Sequence, residues 1–410
     1  MAHTVQAEPG LLDTPGVAQY IRSEHGQVAQ EGDRMPTATD AFATGPQRVG
    51  AEPLAIAWKQ QSGLIGLSIV NFILRILTLG IYHFWGKTEV RRRIWSAVRL
   101  NGEPLEYTGT GKELFIGFLV VLLCVFLPML LVGGALVYVL GPHSRLLPAF
   151  QLLAYIVLFF LIGVAIHRAL RYRLARTRWR GIRGRLEGSS LRFAWTYFWT
   201  ALLIPFTLGW IIPWRATKLQ SLLNNEMRFG NRPFRFMARS GPLYGRFAVV
   251  WIGTIVLIVA ASAGVAVSMY LVGVDPQPAA VPGRPASVGP NAVAAIVPVL
   301  LVFYLLFALI IAWYQAAVIN HFAAHTSYEG ATFRGNLTAW SMIWLVISNL
   351  LIVSLTFGLL APVAQARAIR YMVERLSIEG AVPLADIMQR AEDPIRRGEG
   401  LAQVFDVDAL

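Results

Sequence analysis

The sequence is poor in cysteine and in charge. Cys124 is its only thiol, so it can form neither a disulfide framework nor a paired-thiol metal site. Charged residues make up 14% of the chain against 55% hydrophobic, whereas soluble domains carry about 25% charge. Acids are scarcer than bases, 23 Asp and Glu against 36 Lys and Arg. No Asp or Glu falls within seven long apolar runs at 64–85, 114–140, 147–167, 193–213, 247–273, 293–319 and 338–362. That absence disfavours carriers that shuttle protons on intramembrane carboxylates. A P-loop, GxGxxG, GxSxG and HExxH are missing too, and with them the common nucleotide-binding, hydrolase and metalloprotease signatures. No catalytic constellation and no need for a cofactor can be read from the residues.

What is present reads as membrane protein. A helix needs about 20 apolar residues to cross a hydrocarbon core of about 30 Å, and a soluble core has no room for seven such runs. The expected class is an all-α polytopic membrane protein of seven hydrophobic segments in repeated units. Residues 1–50, rich in Ala, Gly, Pro, Gln and Thr without periodicity, read as a disordered tail. A membrane domain covers 51–380, with copies at about 51–140, 147–273 and 293–380. An acidic tail, 381–410, holds Asp386, Glu392, Asp393, Glu399, Asp406 and Asp408. No apolar h-region lies in 1–62, so no cleavable signal peptide is expected.

The repetition is explicit. Segments one, four and seven carry Thr78-Leu79-Gly80, Thr207-Leu208-Gly209 and Thr356-Phe357-Gly358. A basic stretch follows each, and a second glycine stands at nearly constant distance: Gly102, Gly230 and Gly380. Segments three and six match through Tyr155…Thr177…Gly181 and Tyr304…Thr326…Gly330. Apolar–polar alternation after a glycine in 102–107, 188–193 and 229–236 predicts short β-hairpins in the basic connectors.

Connector charge bears on topology. Residues 87–113, 168–192 and 214–246 hold six, nine and seven Lys or Arg, while 141–146 and 274–292 hold one each. The positive-inside bias puts the first three in the cytoplasm. Two arrangements follow: seven crossings, or four crossings with segments one, four and seven dipping in and returning on the cytoplasmic side. With a net charge of +13 the expected partners are anionic lipids and not nucleic acid; a second copy or another protein partner stays open.

Seven residues before each motif threonine stands a polar residue, Asn71, Thr200 or Asn349, on the same helix face. With Arg75, Thr78, Thr207 and Thr356 these form a candidate polar axis lining a solute path or headgroup pocket, set against ordinary interhelical hydrogen bonds of about 0.6 kcal/mol each. Arg75 is the one full charge at depth. Candidate headgroup contacts are Arg91, Arg92, Arg93, Arg171, Arg173, Arg176, Arg215 and Lys218. His321 and His325 have zinc-helix spacing, but Phe322 stands where the metalloprotease glutamate would be, and they read as interfacial residues.

Through Leu77-Thr-Leu-Gly-Ile-Tyr-His-Phe-Trp85, Arg91-Arg-Arg93, Asn101-Gly102, 107–115, Leu170-Arg-Tyr-Arg173 and Gly181-Ile-Arg183, the chain resembles the YjgN family of bacterial inner-membrane proteins over roughly 50–385. His83 departs from a frequent proline, and the last copy's motifs are degraded. The resemblance implies a polytopic inner-membrane protein and no assigned activity. Function then reads as transport or headgroup handling between repeats, or as a membrane scaffold recruiting partners through connectors and tail.

Overall fold

A computed structural model describes residues 51–273 and 290–387; the N-terminal tail, most of the connector 274–292 and residues 388–410 lie outside the described residues. Strands β1 (Ala51–Pro53) and β2 (Ile56–Trp58) lead into helices α1 (Leu64–Leu77) and α2 (His83–Ala97). Strands β3 (Val98–Leu100), β4 (Glu103–Pro104) and β5 (Glu106–Tyr107) then precede the long helix α3 (Gly111–Leu140). Helix α4 (Leu146–Arg176), strands β6 (Thr177–Trp179) and β7 (Ile182–Leu186), and helices α5 (Ser190–Phe206) and α6 (Ile212–Glu226) follow. The chain goes on through β8 (Met227–Phe229), β9 (Arg232–Phe236), α7 (Gly241–Leu271) and α8 (Pro290–Ala324). It ends in β10 (Thr326–Tyr328), β11 (Ala331–Gly335), α9 (Ala339–Leu355), α10 (Ala361–Arg375), β12 (Leu376–Glu379) and β13 (Ala381–Pro383).

Four helices, α3, α4, α7 and α8, are long and apolar enough to cross a membrane. At 1.5 Å per residue, 30 residues reach about 45 Å, so each outruns the apolar core and continues past it. The other three apolar runs break. Helix α1 has 14 residues and α5 and α9 have 17, about 21–26 Å, and each stops at its Thr-x-Gly turn. Each short helix packs on the basic helix that follows it. Within the described residues every helix touches the next in order, and α10 returns to α1. Small residues allow the closest crossing: a side chain on Gly163 of α4 would sit 2.7 Å from the Ala194 backbone of α5, and Ala165 and Ala194 are fully buried. Such stripes let helix backbones approach where lipid leaves no hydrophobic drive between helices.

The connector strands do not remain separate hairpins. They join antiparallel in the order β5 to β12 as one eight-stranded sheet, beside a β2–β3–β4 sheet and a β1–β13 pair. β12 also lies against β2, so the two ends of the strand layer meet. The expected hairpins at 102–107 and 229–236 are present. Residues 188–193 are instead the start of α5, capped by the Ser189 hydroxyl, which accepts from Arg192 N at 3.4 Å. The alternation seen there is outweighed by the N-cap, and the hairpin of that connector is β6–β7.

Candidate functional site at the helix ends

The three Thr-x-Gly turns have one geometry. Gly80 N–H donates to Arg75 O at 2.7 Å, Gly209 N–H to Ile204 O at 2.8 Å and Gly358 N–H to Val353 O at 2.8 Å. The preceding residue donates three back, Leu79 to Ile76, Leu208 to Pro205 and Phe357 to Ser354. This bond pair is the Schellman helix stop, whose left-handed position normally holds glycine. Here it holds Leu79, Leu208 and Phe357, at φ of 49°, 48° and 49°, and they are 95%, 71% and 91% exposed. A left-handed leucine costs roughly 1–2 kcal/mol, a cost placed on a projecting apolar tip.

The polar-axis candidates sit on these hairpins. Thr78, Thr207 and Thr356 each return their hydroxyl to the carbonyl four residues back, at 2.7, 2.9 and 2.6 Å. Asn71 Nδ2 donates to Gly86 O at 3.3 Å and Asn349 Nδ2 to Ala364 O at 3.2 Å, stitching each short helix to its own returning arm. Thr200 is bonded within α5, to Thr196 O at 2.6 Å. Both asparagine Oδ1 atoms are buried without a hydrogen-bond partner. Arg75 is exposed in the last turn of α1. Each candidate's bonds thus lie within its own hairpin.

Most of the candidate headgroup arginines have internal partners. Buried Arg91 donates to the Tyr107 hydroxyl at 3.2 Å, Arg92 to Gly109 O at 3.2 Å and Arg93 to Ser62 O at 2.6 Å. Arg171 holds Leu186 O at 3.1 Å and also Gly188 O. Arg176 pairs with Glu113, Arg173 is half-buried on the same turn, and Arg215 lies 4.5 Å over the Tyr197 ring. Lys218 is exposed. The larger basic surface is one face of the sheet. Ladder register sets Arg178 opposite Arg183, Arg185 opposite Arg228, Arg235 opposite Ser327 and Arg334 opposite Ser377. The opposite face holds Ile182, Phe229, Phe234, Tyr328, Phe333 and Ile378 in one apolar cluster closed by Val382 and Ile387. Burial there pushes the Tyr328 hydroxyl's pKa up.

A second polar constellation lies where α4, the start of α5 and the end of α6 meet. His167 is fully buried. Its Nδ1 is 3.0 Å from Ser190 Oγ and its Nε2 is 3.4 Å from Glu226 Oε2. Burial holds the Glu226 carboxyl above the usual carboxylate range, with Arg192 and Arg171 pulling the other way. Gly188, at φ 91°, leaves the space this carboxylate occupies. The cluster ties the body of α4 to the start of α5 and the end of α6.

A family described as a bacterial protein of unknown function (DUF898) matches residues 60–404, which covers the helices, the sheet and the three turns. The chain belongs to this family. The inner membrane protein YjgN of Salmonella typhimurium strain LT2 is 30% identical over 131 residues, 32% of this chain and 30% of that protein. Inner membrane protein YjgN of Escherichia coli K12 is 26% identical over 150 residues, 35% of this chain and 33% of that protein. The matched stretch thus spans about a third of the curated relatives. No solved structure matches the chain.

For this family member, sequence reading missed His167, Ser190 and Glu226. His167 looks like the end of an apolar run and Glu226 like the close of a basic connector. One signal was available: in the register that carries Thr177 onto Thr326, these positions become Ala316, Ala339 and Arg375.

Proposed function

We propose that this protein handles anionic phospholipid headgroups at the cytoplasmic face of the membrane. In this reading α3, α4, α7 and α8 cross, the pairs α1–α2, α5–α6 and α9–α10 are repeated re-entrant hairpins, and the sheet lies at headgroup level on the cytoplasmic side. The observation that carries it is the exposed apolar tip of each hairpin. A leucine moved from water into hydrocarbon gains about 1.5–3 kcal/mol, enough to offset the left-handed turn; in water the same tip is pure cost. The arginine face supports the headgroup assignment. Like charges directly opposite across strands are destabilising, and a mainly cationic face, on which Arg228 and Arg334 are paired with Glu187 and Glu379, draws anionic lipid at about 1 kcal/mol per cation. Arginine also binds phosphate through two parallel N–H groups.

Topology reporters fused within 214–246 and within 274–292 test the arrangement; the first should report inside and the second outside. Trp210, next to the Leu208 tip, should be quenched by brominated acyl chains in reconstituted vesicles. An external 214–246, or a Trp210 untouched by brominated lipid, would sink the re-entrant reading.

A further inference from the structure

We infer that the groove between α7, the end of α8, β11 and the start of α9 is a binding pocket for the phosphate headgroup of one anionic phospholipid. This rests on the headgroup reading above and assigns it to a specific site. The cavity is about 470 Å³, within the range of pockets that take small ligands. Its polar wall carries the charges of Arg246 and Arg334 beside Asn320 and His321, whose Nε2 lies 2.8 Å from Arg239 O, and Trp313, Ala316, Ala317 and Ala339 are part of its apolar wall. No Asp or Glu lines it. Arg334 also reaches Glu379 at 3.0 Å, while exposed Arg246 has no acidic partner among the described residues.

Comparison within the chain shows that this opening is made by residue choice. Every bound of β10, β11, α9 and α10 is that of β6, β7, α5 and α6 carried forward by the step from Thr177 to Thr326. At the earlier corner His167, Arg171 and Ser190 fill the space and Glu226 closes it. At the later one Ala316, Asn320, Ala339 and Arg375 stand in those positions. Asn320 keeps the tethering role, donating to Leu337 O at 2.8 Å and accepting from Leu337 N at 3.0 Å. It does so with a shorter side chain than Arg171, and the corner's acid has become a base. The α10 side of this corner is refilled by Met342 and Tyr371 packed with Ala316, so the space is left on the side that faces Arg246 of α7.

Position selects a lipid over a soluble anion. About two to three turns before Trp313, α8 exposes Leu301, Val302, Tyr304 and Leu305, on a helix apolar enough to span. The pocket starts at Trp313, about two turns further along the same helix towards the arginines. Acyl chains along the exposed α8 surface and a phosphate between Arg246 and Arg334 satisfy both halves.

The test uses the full chain purified in a neutral detergent, with dihexanoyl phosphatidylglycerol as probe and dihexanoyl phosphatidylcholine and inorganic phosphate as the other arms. One saturable site per chain is expected for phosphatidylglycerol, with clearly weaker binding of the other two. Arg246→Gln and Arg334→Gln should each weaken it about fivefold, and together about twenty-five-fold. Ala317→Leu, which adds bulk inside the cavity without touching charge, should weaken it as well, with an unchanged thermal transition showing that each variant folds. Arg178→Gln with Arg235→Gln, on the sheet face outside the pocket, should lower binding to phosphatidylglycerol vesicles and leave the saturable site intact. Lack of saturation, equal affinity for phosphatidylcholine or for inorganic phosphate, or indifference to the pocket variants would overturn the inference. Vesicle binding indifferent to the sheet-face pair would count against the broader headgroup reading while leaving the pocket standing.

Discussion

The corner of α4, α5 and α6 and the corner of α8, α9 and α10 share the bounds of their strands and short helices in register and differ in what occupies them. In the first, His167, Ser190 and Glu226 form a hydrogen-bonded cluster around a fully buried ring. In the second, alanines and a short asparagine leave a basic cavity. The difference teaches where stability and binding are divided in this protein. A satisfied polar cluster fixes helix ends because leaving any one partner unpaired is expensive. The alanine-lined corner is held instead by Ala316 packed with Leu337, Met342 and Tyr371 and by the Ser341–Tyr371 hydroxyl pair at 2.7 Å, and its cavity opens on the α7 side. The backbone tolerates both because loop tethering, by Arg171 in one and Asn320 in the other, survives the exchange.

The largest break in this comparison is His167→Ala. It removes a fully buried ring and strands Ser190 and Glu226, at a cost of roughly 2–4 kcal/mol, read as a lower thermal transition in detergent. Ala316→Ser, at the matching position of the open corner, adds one hydroxyl beside a cavity and should shift the transition far less. Equal shifts at both positions would mean that the cluster is not what holds the first corner.

Next in size is Gly188→Ala. The new Cβ would overlap the Glu226 carboxylate, and the φ of 91° is hostile to any side chain. A loss of about 1–3 kcal/mol is expected. The two causes separate in a double-mutant cycle: paired with Glu226→Ala, the overlap is relieved and only the backbone strain persists. A cycle showing no coupling would place the whole effect in the backbone.

The legible and the hidden parts of this structure divide along sequence separation. The three Thr-x-Gly repeats were readable because Thr, a bulky residue and Gly are contiguous, though not that each is a Schellman stop, and Asn71 and Asn349 stood out by their fixed step from them. Two of the hairpins were readable from local alternation. The sheet was not, because pairings such as Glu106 with Arg178 and Arg235 with Ser327 join connectors separated by whole membrane helices. At 188–193 a local alternation coincided with an N-cap, and the cap won. Of the site, the basic connectors were visible, but which arginines are spent internally was not. Arg91 and Arg171 look identical in sequence to Arg178 and Arg235, and only the tertiary partners separate them. The pocket was invisible because it consists of alanines, informative only beside the residues they replace.

The finest test of the comparison is pH. Burial raises the Glu226 pKa above its ordinary value of 4.5, so over the interval between the two values the folded chain binds more proton at this site than the unfolded one. The contribution of Glu226 to stability therefore falls as pH climbs from about 4.5 through the raised value and levels off above it. The groups facing this carboxyl are His167 from α4, Arg171 from the same helix and Arg192 from α5; the two arginines keep their charge throughout, and because a histidine can also change charge in this interval, the Glu226 share is read as the difference between the parent chain and a Glu226 variant. Glu226→Gln removes the titrating acid and keeps a hydrogen-bonding end for His167. The thermal transition of the parent chain relative to that of Glu226→Gln should decline from pH 4.5 to 7. A matching acid is absent from the open corner, where Arg375 stands, so Arg375→Gln should leave the profile as it was. Parallel profiles in the parent and Glu226→Gln would show that the first corner carries no proton-linked strain, and the contrast between the two corners would reduce to packing alone.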